Sequence, residues 1–281
     1  MTNSTATAFA TAKAEGRAAL VGYLPAGFPT VDGGIAAVRA LAACGVDLIE
    51  VGFPYSDPVM DGPVIQRATE VALAGGVRAG DVMRTVEAAA QAGVPVLVMT
   101  YWNLVERYAG AHPTRGVDSF ACDLAAAGGS GLITPDLIPD EAGQWIEVAD
   151  TYGLDRVFLV APSSTEARLT ATIAACRGFV YATSVMGVTG ARATTSHAAP
   201  ALVTRVRRVV AQANPGLPVG VGLGVRDADQ AAEVGAYADG VIVGSALVSC
   251  LAGTELETGL QALRTLTTDL ADGVRRAVRT V

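Results

Sequence analysis

Apolar residues fall along this chain in two patterns: short unbroken runs of strand length, and longer stretches in which they return every three or four positions. Eight runs are of the first kind: Ala18–Leu24, Val46–Gly52, Pro95–Thr100, Gly131–Thr134, Arg156–Ala161, Phe179–Ser184, Pro218–Gly222 and Gly240–Gly244. Most are continuous Val, Ile and Leu, the pattern of parallel strands covered on both faces. Between them, Thr30–Ala43, Ala79–Ala92, Val117–Ala127, Glu141–Tyr152, Thr165–Ala175, His197–Ala213 and Asp227–Val234 are Ala-rich, with apolar residues at helical spacing. Thr30, Asp140, Ser164 or Thr165, and Asp227 stand where helix N-caps are expected.

A strand every few turns of helix, eight times, without a linker or a shift in composition, predicts one (β/α)8 barrel domain over residues 1–281, with an extra N-terminal helix within 1–17. The rival, a doubly wound dinucleotide fold, needs G-x-G-x-x-G after its first strand. Here that strand is followed by Pro25-Ala26-Gly27-Phe28-Pro29, and the cluster Gly220-Val221-Gly222-Leu223-Gly224 has the wrong spacing and comes after the seventh strand. In a barrel the functional residues lie at the C-terminal ends of the strands and in the loops that follow.

Composition narrows the chemistry. The 281 residues are 51% apolar and 17% charged, which excludes disorder over most of the chain. Lys13 is the only lysine, so chemistry through a lysine imine is confined to it. The two histidines, His112 and His197, are too far apart in sequence for a His-rich metal centre, and no metal is expected. A net charge of −7, relieved only by an arginine-rich end at Arg275, Arg276 and Arg279, disfavours nucleic acid. Cys44, Cys122, Cys176 and Cys250 read as small buried hydrophobes in a reducing cytoplasm. No apolar run is long enough for a membrane span, and the N-terminus lacks the pattern of a secretion signal.

The second strand carries a carboxylate in apolar surroundings, Glu50, and the proline-stiffened loop after it carries Asp57 and Asp61. An acid on a buried strand is either paired with a donor or raised in pKa, so Glu50 is an acid/base candidate or a structural carboxylate. Asp61 is close enough along the chain to fold over the same mouth and share proton transfer or cation stabilisation. Asp57 is equally a turn residue before Pro58.

Glycines end the last three strands: Val185-Met186-Gly187-Val188-Thr189-Gly190, Gly222-Leu223-Gly224-Val225 and Val243-Gly244-Ser245-Ala246. Each is a plain turn device or a place where backbone N–H groups meet an oxyanion; together, in adjacent loops, they suggest a phosphate site.

From Phe9 through the eighth strand–helix unit the sequence resembles the tryptophan synthase alpha subunit family. The most specific stretch is Leu48-Ile49-Glu50-Val51-Gly52-Phe53-Pro54-Tyr55-Ser56-Asp57-Pro58-Val59-Met60-Asp61-Gly62-Pro63-Val64-Ile65-Gln66; Pro135-Asp136-Leu137, Phe158-Leu159-Val160-Ala161-Pro162, Gly187-Val188-Thr189-Gly190 and Gly244-Ser245-Ala246 support it. The resemblance implies retro-aldol cleavage of indole-3-glycerol phosphate to indole and glyceraldehyde 3-phosphate, without metal or organic cofactor. Glu50 then corresponds to the principal acid/base, and Asp61 to the carboxylate on the indole N–H. Tyr23, Tyr101, Leu132, Tyr181 and Leu223 correspond to positions around the indole and the reacting centre, and Thr189, Gly190, Gly224, Gly244 and Ser245 to the loops around the phosphate. The implied partner is a pyridoxal-phosphate-dependent beta subunit, in an alpha2beta2 heterotetramer, met by loops that include Pro54, Asp57 and Asn103. The chain departs from the family at Val185-Met186, where many relatives carry an arginine, and at Gly22-Tyr23 and Gly27-Phe28. Two other readings remain open: a sugar-phosphate isomerase or epimerase on the same barrel, and a subunit that mainly activates a partner.

Overall fold

The computed structural model describes residues 4–110, 115–183, 198–222 and 224–279. In chain order the elements are α1 (Thr5–Ala14), β1 (Ala19–Pro25), α2 (Val31–Ala43), β2 (Leu48–Gly52), α3 (Pro63–Ala74), α4 (Ala79–Gln91), β3 (Val96–Met99), α5 (Trp102–Glu106) and α6 (Val117–Ala126). There follow β4 (Gly131–Thr134), α7 (Gly143–Tyr152), β5 (Asp155–Val160), α8 (Glu166–Ala175), β6 (Val180–Thr183), α9 (Ala198–Ala213), β7 (Val219–Gly222), α10 (Ala228–Gly235), β8 (Gly240–Val243), α11 (Ser245–Cys250) and α12 (Leu256–Arg275). The strands pair in parallel in sequence order, and β8 returns to β1 to close an eight-stranded barrel.

Each expected strand is present to within two residues at its ends. Thr30, Thr165 and Asp227 cap α2, α8 and α10, accepting from the backbone N–H groups of Gly33, Arg168 and Gln230. Asp140 does not cap a helix. Pro139 opens a 3-10 turn over Pro139–Glu141, Asp140 lies inside that turn, and α7 starts after Ala142.

Apolar side chains fill two layers. One lies between the sheet and the helices; the other is inside the barrel and joins Val21, Leu48, Leu97, Ile133, Val157, Phe179 and Ile242. The barrel floor is closed by α1. Its Phe9 ring lies 5.4 Å from that of Phe179 and packs where Gly240, at the start of β8, has no side chain. Lys13 is exposed on this floor helix, far from the strand C-termini. Arginines of the C-terminal segment bind acids of the same chain: Arg275 pairs with Asp272, Arg276 with Asp229 and Arg279 with Asp239. Among the cysteines only Cys176 is fully buried, its thiol pushed up to about 12 by burial; Cys44, Cys122 and Cys250 are half-buried, and none forms a disulfide.

Candidate active site

The alternation of side chains along β2 turns Leu48, Glu50 and Gly52 to one face, and Leu48 belongs to the barrel interior. Glu50 is therefore the acid carried into the mouth, only 1% exposed. Among the described residues its buried Oε1 has no hydrogen-bond partner. Burial raises its pKa from 4.5 to about 8.

The register sets its neighbours. Tyr23 of β1 pairs with Glu50, and its ring lies over Gly52. On the far side Tyr181 of β6 pairs with Gly220 of β7, and its ring lies over Gly222. Both tyrosines are buried, and both are raised well above the usual phenol range, first by burial and then by the charges of Glu50 and Asp61.

Residues 53–62 bring Asp61 back over the mouth. The side-chain amide of Gln66, in the first turn of α3, donates to the carbonyls of Asp61 (2.9 Å) and Pro58 (3.4 Å) and so pins the loop. Asp61 is raised from 3.8 to about 6, because burial outweighs its hydrogen bond with Tyr101. The mouth thus gathers two carboxyls and three phenols.

Gly224 adopts φ +72°, a left-handed conformation that a side chain would strain, in the turn after β7. Gly244 precedes α11, and the buried Ser245 opens it. Because β7 and β8 are paired neighbours, these two turns lie side by side at the strand C-termini. Thr189, Gly190 and Leu223, together with the departure at Val185-Met186, lie outside the described residues, as do His112 and His197. Among the described residues no group of three or more His, Cys, Asp or Glu could hold a metal ion, and no helix is long and apolar enough to cross a membrane.

Leu132 is a correction. It packs between sheet and helices, while its neighbour Ile133 joins the barrel interior. Strand β4 is apolar on both faces, so composition does not say which residue turns inward. Of the residues expected at a partner surface, Asp57 and Asn103 are exposed but Pro54 is buried. Exposed Val59, 72% accessible, and Ile138 lie on the same rim. Asp136, absent from the expected site residues, holds the start of α5 there.

Comparison with known proteins follows the same outline. A family model described as "Tryptophan synthase alpha chain" matches residues 9–275. The chain is 63% identical over 269 residues to the tryptophan synthase alpha chain of Salinispora arenicola, covering 95% of this chain and 96% of that one. It is 60% identical over 268 residues to that of Mycobacterium marinum, covering 95% and 93%. A solved structure of Mycobacterium tuberculosis tryptophan synthase superposes with a TM-score of 0.88 at 58% identity, covering 98% of this chain and 99% of that one.

Proposed function

The chain belongs to the tryptophan synthase alpha chain family, and from that premise we propose that Glu50 and Asp61 divide the work of its reaction between them. The reaction is the carbon–carbon lyase step of tryptophan biosynthesis, in which indole-3-glycerol phosphate is cleaved to indole and glyceraldehyde 3-phosphate.

The observation that supports the division is two carboxyls in one mouth, raised to different degrees: Glu50 to about 8 and Asp61 to about 6. At neutral pH the first is largely a neutral acid and the second largely an anion. Indole is a poor leaving group as a carbanion, so its C3 must first accept a proton. Glu50 gives that proton, and the positive charge spreads to the ring nitrogen, whose N–H is held by the Asp61 carboxylate. The Glu50 carboxylate then takes the proton of the side-chain hydroxyl next to C3. The C–C bond breaks, its electron pair restores the aromatic ring, the aldehyde forms, and Glu50 is again protonated.

Tyr23, Tyr101 and Tyr181 enclose the ring, and the turns at Gly224 and Gly244-Ser245 hold the phosphate with backbone N–H groups, joined by Thr189 and Gly190; Leu223 completes the indole surroundings. The chain needs no cofactor of its own. A beta subunit, which holds pyridoxal phosphate, docks on the rim that carries Asp57 and Asn103 in an alpha2beta2 assembly and receives the indole, and the complex works in the cytoplasm.

The test is indole release from indole-3-glycerol phosphate with and without a beta subunit, for the wild type and Glu50→Gln. The wild type should turn over, and the variant should lose activity by several orders of magnitude while it stays folded and still binds the beta subunit. No wild-type turnover under either condition overturns the reading; near-normal activity of the variant removes Glu50 from it.

A further inference from the structure

Tyr101 lies at a junction of three loops. It is the residue before α5, on the segment that leaves β3, and its hydroxyl reaches across to the loop after β2. There the Met60 N–H donates to the Tyr101 Oη at 2.9 Å, and the same hydroxyl hydrogen-bonds the Asp61 carboxylate. The direction of that second bond is fixed by chemistry: a carboxylate only accepts, so the phenol O–H donates to it while a phenol lone pair accepts from Met60. One side chain therefore holds both the backbone and the side chain of the loop that carries Asp61.

The third loop fixes Tyr101. The Asp136 carboxylate, on the segment that leaves β4, accepts the Trp102 N–H at 3.0 and 3.1 Å through its two oxygens. That N–H is the first of α5 and has no partner within its own helix, so Asp136 acts as a cap supplied from a different strand. It fixes the peptide group joining Tyr101 to Trp102. From the other side the Tyr55 ring packs 5.1 Å from the Tyr101 ring, and the Asn103 amide donates to the Tyr55 hydroxyl at 3.3 Å.

We propose that Tyr101 is a positioning residue that holds Asp61 in place as an ionised acceptor, and that Asp136 acts on Asp61 through Tyr101. This rests on the reading of Asp61 as the carboxylate that meets the indole nitrogen. Among the described residues the titratable groups that interact with Asp61 are Tyr101, Tyr23 and Tyr181, with Glu50 in the same mouth; of these the Tyr101 hydroxyl favours its ionised form. Tyr101→Phe removes that donor and leaves burial to act alone, so Asp61 should be harder to ionise.

The experiment measures kcat/KM for indole formation against pH in the complex with a beta subunit, for the wild type, Tyr101→Phe, Asp136→Ala and the double variant. Alongside it, 13C carboxyl NMR follows the Asp61 titration in the free chain, and circular dichroism checks the fold. Tyr101→Phe should lower kcat/KM about tenfold near neutral pH and move both the acid limb and the Asp61 titration upward by about half a pH unit or more. Asp136→Ala should cost about threefold alone and no more than about twofold when added to Tyr101→Phe, the mark of two groups acting in series. An Asp61 titration unmoved in Tyr101→Phe, or independent multiplication of the two losses, overturns the proposal. Asp61→Asn serves as the control on the underlying reading: near-normal activity there would remove Asp61 itself, whereas an inactive Asp61→Asn beside an unmoved titration removes only the role of Tyr101.

Discussion

The Tyr23 ring lies directly over the Cα of Gly52, so that a Cβ at position 52 would stand 2.7 Å from its Cζ and 2.9 Å from its Cε2. The two residues are offset by two from the β1–β2 register, in which Tyr23 faces Glu50. Tyr181 and Gly222 repeat the arrangement across β6 and β7 with the same offset from Gly220. Glycine is required at both places because the strand tilt of a barrel leans a side chain over its neighbour's next inward position. Gly52→Ala should therefore cost about 1–3 kcal/mol by overpacking and displace the ring beside the acid, lowering kcat/KM for indole formation. Urea unfolding of Gly52→Ala, Tyr23→Leu and the pair checks this: the double variant should be no less stable than Tyr23→Leu alone, and fully additive losses would contradict the contact.

The burial of Glu50 costs stability wherever the acid would otherwise be ionised. Its folded pKa of about 8 lies above its ordinary 4.5, so the folded state holds a proton that the unfolded chain has released, and stability falls as pH rises through that window. Glu50→Gln carries no such penalty. The variant should be nearly inactive yet more stable than the wild type by a few kcal/mol at about pH 8, with the difference vanishing below about pH 4.5. Melting curves across pH for both proteins check it; a constant difference would mean that Glu50 is not a buried, raised acid.

The proposed division of work gives the two carboxyls opposite limbs of the rate profile. With Asp61 acting as the anion and Glu50 as the acid, kcat/KM should rise through about 6 and fall through about 8. Asp61→Asn should lose about two to three orders of magnitude, since an amide cannot offset the charge on the ring nitrogen. Its remaining profile should lack the acid limb; an acid limb unchanged in that variant assigns the limb to another group.

Gly224 offers a test of the phosphate turn. Its φ of +72° strains any side chain, and a Cβ there would also crowd an anion held by backbone N–H groups. Gly224→Ala should raise KM for indole-3-glycerol phosphate several-fold, and inhibition by glyceraldehyde 3-phosphate should weaken in parallel. An unchanged KM would take this turn out of the phosphate site.

Barrel and mouth acids are legible in the sequence because both rest on local chemistry: eight β-rich runs of the right length, and a Glu inside one of them. What stays hidden depends on neighbours distant in the chain. Leu132 and Ile133 are equally apolar, and only closure of the barrel decides that Ile133 turns inward. Pro54 belongs to a polar loop, yet the way that loop folds over the mouth buries it. Tyr101 reads as an aromatic pocket wall; its bond to Met60 spans 41 residues and has no local signal. Asp136 follows a proline as turn acids do, and the helix that it caps belongs to another unit.

Stability and catalysis should separate along the barrel axis. At the floor Arg17 meets Asp47 through two bonds of 2.6 and 2.8 Å, with side chains only 9% and 14% exposed, and Asp47 also accepts the Leu20 N–H at 2.8 Å. Asp239 does the same before β8, accepting from Val219 N–H and pairing with Arg207 and Arg279. Each acid ties the start of its own strand to the one before it. Asp47→Ala leaves a largely buried guanidinium with the exposed Glu15 carboxylate and the Ala18 carbonyl as its acceptors among the described residues and leaves the Leu20 N–H without its side-chain acceptor, so it should cost about 3 kcal/mol. The mouth lies at the opposite end of β2, beyond several layers of packed side chains. The midpoint of urea unfolding should therefore drop markedly, while kcat/KM, measured where the variant is still folded, stays within about twofold of the wild type. A loss of activity without a loss of stability would show that this ion pair reaches the mouth.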